Sequence, residues 1–458
     1  MANIFTTLTT VVGFASLATS GIKPIDDFGL YTALGVAFSF IVAYTLLPAL
    51  LYLLPVPKIK TVKASNRFLW DNILTSFFSF IMRKKYWILG VTGIIVVGMI
   101  YGITRIEENT QLLEDLSNKS KMKKDFVWFG KEFQGTRPFE MAIWVKDTNH
   151  TILDREIVTQ LDKMENYLSK HYGVGFMLSP VALIKAANRS YAGGAIDAYE
   201  IPESNSRYNK ITKELKAIQS NPQIKAVVSD DFRSGRVQSM LDDIGSNLAH
   251  QQNKAFYAFV KDSIDTSLFE YKLTGTAELI DQNNLNLAWN IASGILIAFV
   301  VIGLIIGFMF KSFKMAIIAI ITNTIPLIIL GGILGYFGIS LKVSTAILFA
   351  IAFGIAVDNT IHFLSRFKME ISKGKSVLYT IKRTFLTTGK AMIITSVTLC
   401  IGFGILGISS FLATRNIGIL TSTTLFFALA FNLSLLPVLV LLFYREKGQN
   451  KPSIEKDK

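Results

Sequence analysis

One cysteine is all the chain contains: Cys400 can form no internal disulfide, so the fold needs no oxidising compartment. Histidine is almost as scarce, and His150, His171 and His250 are scattered at no spacing that suits a metal ion. Gly193 and Gly194 are followed by no Lys-Ser or Lys-Thr pair, which excludes a phosphate loop. No catalytic constellation, cofactor or metal is therefore expected, and the chain does not read as an enzyme. Charge is thin as well: 17% of the 458 residues are Asp, Glu, Lys or Arg against 51% hydrophobic. Such a balance excludes a disordered chain and argues against an ordinary soluble globule.

What is present in abundance is apolar sequence. A helix crossing hydrocarbon needs roughly 20 apolar residues. Eight such runs lie near 4–20, 28–53, 86–103, 291–310, 315–337, 343–364, 391–412 and 417–444. The expected fold class is an α-helical polytopic membrane protein with eight predicted spans and one external α+β domain. The net charge of +14 would raise the question of nucleic acid in a soluble protein, but its distribution answers it. The connection 54–85 carries seven Lys or Arg, the connection 366–390 another seven, and the tail 445–458 five more, while Lys311 and Lys314 flank one tight turn. The opposite side offers only Lys23, Lys342 and Arg415. Cytoplasmic loops keep the excess of positive charge, so the tail and both basic connections are placed in the cytoplasm and the long segment 104–283 outside. The charge is topological, with the bilayer as partner and no nucleic acid.

The expected organisation is two spans in 1–54, a cytoplasmic linker in 55–85, a span at 86–103, the external domain 104–283, a five-span bundle in 284–444 and a basic cytoplasmic tail 445–458. Two connections look amphipathic: Phe68, Leu69, Ile73, Leu74, Phe77, Phe78 and Ile81 in one, Val377, Leu378, Ile381 and Phe385 in the other. Both suit the headgroup region, and both suit plain linker helices. In the external segment, Phe139, Met141, Ile143 and Val145 alternate as a half-buried strand does. Residues 151–168 carry a helical period, 224–229 and 268–275 read as strands, and 246–259 reads as a helix between them.

Residues 5–51 align without a gap on 394–440 at a constant offset of 389. Among the thirteen identities are Thr6 with Thr395, Thr9 with Thr398, Gly13 with Gly402, Gly29 with Gly418 and Pro48 with Pro437. Apolar composition does not place glycines, threonines and a proline in register, so the pattern indicates a duplication. Only the last two spans of the first copy are present, so the chain reads as the C-terminal part of a longer duplicated transporter. The missing N-terminal half, or a second copy of the chain, is then an expected partner.

Asp358 is the one acidic residue in any of the eight runs. A charge at that depth costs roughly 2.5–3.5 kcal/mol on insertion scales, which marks it as a functional candidate. Helical spacing puts Gly354, Asp358 and His362 on one face, with Asn359 and Thr360 on neighbouring faces. A proton carrier has to be neutral in one access state and charged in the other, as a carboxyl moved between water and hydrocarbon can be. Thr398 is expected at about the depth of Asp358, with Thr395 one turn below, where their hydroxyls could orient the carboxyl or pass a proton. Gly354, Gly402 and Gly13 are candidates for close helix packing. The competing readings are that Asp358 is a hydrogen bond between helices, that the threonines are ordinary packing residues and that His362 is interfacial.

GIAVDNTIHFLSRF at 354–367, preceded by IPLIILGGILGYFGISL, resembles the fourth span of a repeat in the resistance-nodulation-division superfamily. The stretch DFGLYTALGVAFSFIVAYTLLPALL at 27–51 resembles the closing span of that superfamily's first repeat. The nearest branch is the MMPL-type exporters, which are similar to Patched and sterol-sensing-domain proteins. The resemblance implies a twelve-span inner-membrane exporter that uses proton influx to move lipids or other hydrophobic molecules outward, through porter domains on the periplasmic side. Asp358 matches the fourth-span acid, and Asn359 stands where some members carry a second acid or a tyrosine, which bears on the number of protons coupled. Two other functions share the bundle: a non-transporting lipid sensor like the sterol-sensing proteins, and a protein-export accessory of the SecDF type.

Overall fold

The computed structural model describes residues 2–55, 64–106, 111, 113–117, 119–285 and 287–444. The basic tail 445–458 and Lys58, Lys60 and Lys63 of the linker lie outside the described residues, as do the side chains of Arg67, Phe68 and Leu69. The chain divides into two compact units, one made of Met1–Glu107 with Asn286–Lys458, the other of Glu108–Leu285.

Four helices come first: α1 (Ala2–Ala15), α2 (Lys23–Leu53), α3 (Ala64–Arg83) and α4 (Lys85–Ile103). Apolar runs of this length become helices because a backbone in hydrocarbon must satisfy its polar groups within its own segment. Helix α1 is prolonged by a 3-10 turn, Ser16–Thr19, and the chain reverses at Gly21, whose φ of 70° suits glycine. Ser20 then donates to Asp26 at 2.7 Å across the turn, and Pro24 sits in the first turn of α2, where its missing N–H costs nothing.

The second unit holds α5 (Lys121–Glu132), β1 (Arg137–Val145), α6 (Arg155–Tyr167), α7 (Pro180–Tyr191), α8 (Asn205–Ala217), the single turn α9 (Pro222–Lys225), β2 (Ser234–Leu241), α10 (Gly245–Ser263), β3 (Phe269–Thr274) and α11 (Thr276–Leu285). Its antiparallel sheet has the order β2-β1-β3, and Phe139, Met141, Ile143 and Val145 point from β1 into the core. The strand expected at 224–229 is not one. Asn221 caps Gln223 N–H and Pro222 fixes the first helical position, so the chain makes a helical turn there instead. Only Val228 pairs with β2, through an isolated bridge to Gly235. The strand that does form nearby, the edge strand β2, hides in SGRVQSML because a glycine stands where an inward side chain is expected; a Cβ on Gly235 would lie 2.9 Å from Ile152 Cγ1.

Five helices complete the first unit: α12 (Leu287–Phe310), α13 (Phe313–Tyr336), α14 (Val343–Ile371), α15 (Val377–Ile405) and α16 (Leu412–Phe443). Seven helices among the described residues are long and apolar enough to cross a membrane, and the run near 4–20 forms a shorter apolar helix, Asn3–Thr19. α13, α14 and α16 form the interior of the bundle. α4 lies close against α13 because small residues meet there: a Cβ on Gly102 would come 2.8 Å from the Gly332 carbonyl oxygen, and the Tyr336 hydroxyl donates to Gly98 O at 2.6 Å. The two amphipathic stretches meet each other. Phe77 and Phe78 of α3 pack around Phe385 of α15 with ring centroids 6.2 and 5.4 Å away, and Asp71 pairs with Lys390 at 2.5 Å.

The internal repeat is legible in three dimensions. α2 begins at Lys23 and α16 at Leu412, the same offset of 389, and each follows a 3-10 turn, Ser16–Thr19 in one copy and Leu406–Ile408 in the other. A Cβ on Gly29 would lie 2.7 Å from both Leu17 Cβ and Phe14 O, and one on Gly418 would lie 2.7 Å from both Leu406 Cβ and Phe403 O. Those four neighbours are themselves repeat equivalents, so the two hairpins close by one and the same contact.

Candidate functional site

The polar groups of the bundle converge on α14. Three consecutive residues, Asp358, Asn359 and Thr360, point about 100° apart around the helix axis and so serve three different surroundings. Asp358 Oδ1 lies 3.4 Å from Nε2 of His362, one turn along the same face, and each side chain keeps part of its surface open, 45% and 38% respectively. Asn359 turns to α15 and donates to Ser396 Oγ at 3.0 Å. Thr360 is fully buried, accepts from Asn323 Nδ2 of α13 at 3.0 Å and donates to Asn432 Oδ1 of α16 at 2.7 Å. Asn432 Nδ2 is buried without a hydrogen-bond partner among the described residues, which leaves this triad with an unused donor in a low-dielectric interior.

Helix α1 covers the stretch of α14 just before the acid. A Cβ on Gly13 would lie 3.1 Å from Gly354 Cα, and the Thr10 hydroxyl donates to Gly354 O at 3.2 Å. Phe14 packs in one cluster with Ile351, so α1 advances as α14 recedes and the two run antiparallel. That register carries Thr6, one turn before Thr10, to the level of Asp358. Thr6 and Thr9 are both buried.

Their repeat equivalents behave differently. Thr395 and Thr398 are exposed, with hydroxyls donating to Ala391 O at 3.0 Å and Ile394 O at 2.8 Å of their own helix. The hydroxyl of α15 that meets Asn359 of α14 is that of Ser396. Gly402, the equivalent of Gly13, has no described atom within 4 Å of where its Cβ would be. The face of α15 corresponding to the covered face of α1 is therefore open among the described residues.

Sequence reasoning reached Asp358, Asn359, His362, Gly354 and Gly13, and missed Ser396, Asn323 and Asn432. The identities at offset 389 carried an unused signal: if Thr395 and Thr398 are candidates for the relay, so are Thr6 and Thr9. Also missed was Glu370, wholly buried at the other end of α14. It meets Arg366 at 3.1 Å, Lys373 at 3.0 Å and Arg383 of α15 at 3.4 Å, tying the start of α15 to the end of α14.

Comparison with known proteins bears on this arrangement. The model of the MMPL family matches residues 2–78 and 132–456. The membrane protein MJ1562 of Methanocaldococcus jannaschii is 22% identical in an alignment 382 residues long that covers 81% of this chain and 94% of that protein. The cryo-EM structure of the hedgehog release protein Disp from the water bear Hypsibius dujardini shares the fold, with a TM-score of 0.63 at 13% identity over 97% of this chain. The match spans 58% of that protein's length.

Proposed function

Because the chain belongs to the MMPL family, we propose that it is the membrane part of a proton-driven secondary exporter of hydrophobic or lipid-like molecules, with Asp358 as the coupling group. The observation that carries this reading is the pairing of Asp358 with His362 on a partly open face of α14, while the two residues that follow are fixed to α13, α15 and α16. A carboxylate that serves only to join helices would be sealed between them. This one keeps 45% of its side chain clear of the described helices, which leaves room for water or a partner helix to reach it. His362 is placed to hold the carboxyl's charge or hand on its proton, and the threonines of α1 stand at the same depth.

In this proposal the protein resides in the inner (plasma) membrane, with the tail and the basic connections cytoplasmic and the α+β unit on the outer side, following the asymmetry of Lys and Arg. The open face of α15 at Gly402 would receive a helix equivalent to α14, supplied by a first-repeat half or by a second chain. Transporters built from parallel repeats place their pathway between the halves.

The test is export in sealed vesicles that hold the assembled protein. Asp358→Asn is expected to abolish the part of export that follows an imposed proton gradient while leaving substrate binding in place. Gradient-driven export at the wild-type rate in Asp358→Asn would defeat the proposal, and saturable lipid binding indifferent to the gradient would favour a sensor.

A further inference from the structure

The α+β unit contains a cleft of about 800 Å³ between the ends of α5 and α6, the start of α7 and the strap Gly173–Met177. Its floor carries a residue out of place. The buried stripe of α6 runs Ile157, Val158, Leu161 and Met164, and Glu165 follows on the same face at 8% exposure. An apolar side chain is what that position calls for. Glu165 Oε1 has no hydrogen-bond partner among the described residues. The nearest cation, Lys185 of α7, is bonded to Asp162 instead. Ser179 caps α7 by accepting from Ala182 N–H at 3.0 Å, and its hydroxyl helps hold the Glu165 carboxyl's charge. An uncompensated carboxyl of this kind is costly inside a protein, and here it faces a cavity rather than a packed core.

The rest of the wall sets the carboxylates of Asp162 and Asp242 against the ammonium groups of Lys131 and Lys185, the latter already paired with Asp162, and adds two aromatic rings. Phe176 stands on the strap with 68% of its surface exposed, and Tyr199 and Asp242 also line the cleft. The strap is held from both sides: Phe176 N–H donates to Gln134 Oε1 at 3.0 Å and Gly175 N–H to Met240 O at 2.9 Å. A carboxylate at the base with aromatic faces near the mouth is the donor set that recognises an organic ammonium ion, through charge below and ring quadrupoles around.

We propose that this cleft binds an organic ammonium ion, with Glu165 as its counter-ion and Phe176 as an aromatic wall. The site lies wholly within Glu108–Leu285 and does not depend on transport through the bundle. Burial pushes the Glu165 carboxyl up to about 7, against the pull of the Ser179 hydroxyl and the Lys185 charge and with Asp162 adding to the rise. Tyr199, Lys131 and Asp242 are the other titratable groups on the walls. An ammonium ion would hold Glu165 ionised, so binding should displace a proton near neutral pH.

Calorimetric titration of the full chain in detergent micelles with butylammonium and choline tests this, with 1-butanol as the uncharged control. Binding of both cations is expected, about tenfold tighter at pH 8 than at pH 6, with proton uptake by the buffer on binding near pH 7. Glu165→Gln, which keeps the side chain's size and polarity, should weaken both at least tenfold without lowering the melting temperature. Phe176→Ala, at an exposed position, should weaken choline severalfold. No cation binding, 1-butanol binding as well as butylammonium, or unchanged affinity in Glu165→Gln would each overturn the proposal.

Discussion

Gly13 and Gly354 let α1 and α14 approach until a Cβ on the first would lie 3.1 Å from the Cα of the second. A Cβ on Gly13 would need the α14 backbone to give way by a few tenths of an ångström, and the hydrogen bond from Thr10 to the Gly354 carbonyl depends on the approach. The acid of the bundle lies one turn further along α14, so this contact sets what α1 can offer it.

Gly13→Leu should push α1 away from α14 at a cost of about 1–3 kcal/mol, as overpacking does. Gly402→Leu, at the equivalent but open position, should stay within about 0.5 kcal/mol. Melting temperatures of the two variants in the same detergent decide the matter. Equal losses would mean that something covers α15 in the folded protein.

Thr360→Val removes the hydroxyl that joins Asn323 to Asn432 and leaves buried amide groups unpaired. A loss of about 1–3 kcal/mol is expected. Thr395→Val and Thr398→Val delete hydroxyls that, among the described residues, bond only within α15, and should be nearly silent in the same thermal assay. A silent Thr360→Val would show that the triad contributes no net stability.

Glu165 makes folding depend on pH with a definite sign. Burial, opposed by Ser179 and Lys185, raises its carboxyl from 4.5 to about 7 in the folded state. Between those values the folded chain keeps a proton that the unfolded chain has lost, so stability falls as pH rises through the window and levels off above it. Glu165→Gln should therefore melt close to wild type at pH 4.5 and gain up to about 3 kcal/mol over it at pH 8. A gain that is the same at both pH values would refute the assignment.

Arg137 is buried at the start of β1 and paired with Asp281 of α11, with Asp243 3.8 Å away. Arg137→Ala strands a carboxylate whose burial already pushes its titration up, and a loss of about 3–5 kcal/mol is expected. The double variant Arg137→Met with Asp281→Leu should recover most of it. If the double variant melts as low as the single one, the pair is not the source of the loss.

Much of this could be read from the chain alone, for physical reasons. Hydrocarbon leaves a backbone no choice but helix, so apolar length located the spans, and the alternation at Phe139 to Val145 located β1. Asp358 stood out because a charge is conspicuous among apolar neighbours. Ser396, Asn323 and Asn432 did not, since uncharged polar residues occur in many spans and only the packing of α13, α15 and α16 against α14 selects these. The expected strand at 224–229 failed for a local reason: Asn221 and Pro222 start a helical turn whatever the hydrophobicity that follows. Glu165 escaped notice although its spacing puts it on the apolar stripe of α6, because one carboxylate in the last turn of a helix is ordinary until the packing around it shows that it is buried.

Gly29 and Gly418 close their hairpins against matching atoms, yet one hairpin packs on α14 by a pair of glycines and the other leaves its counterpart glycine uncovered among the described residues. The molecule thus carries two copies of one experiment in different surroundings. Gly29→Ala and Gly418→Ala disturb the same internal joint, so any difference between them in melting or in export measures the neighbourhood rather than the joint, a comparison that ordinarily requires two proteins.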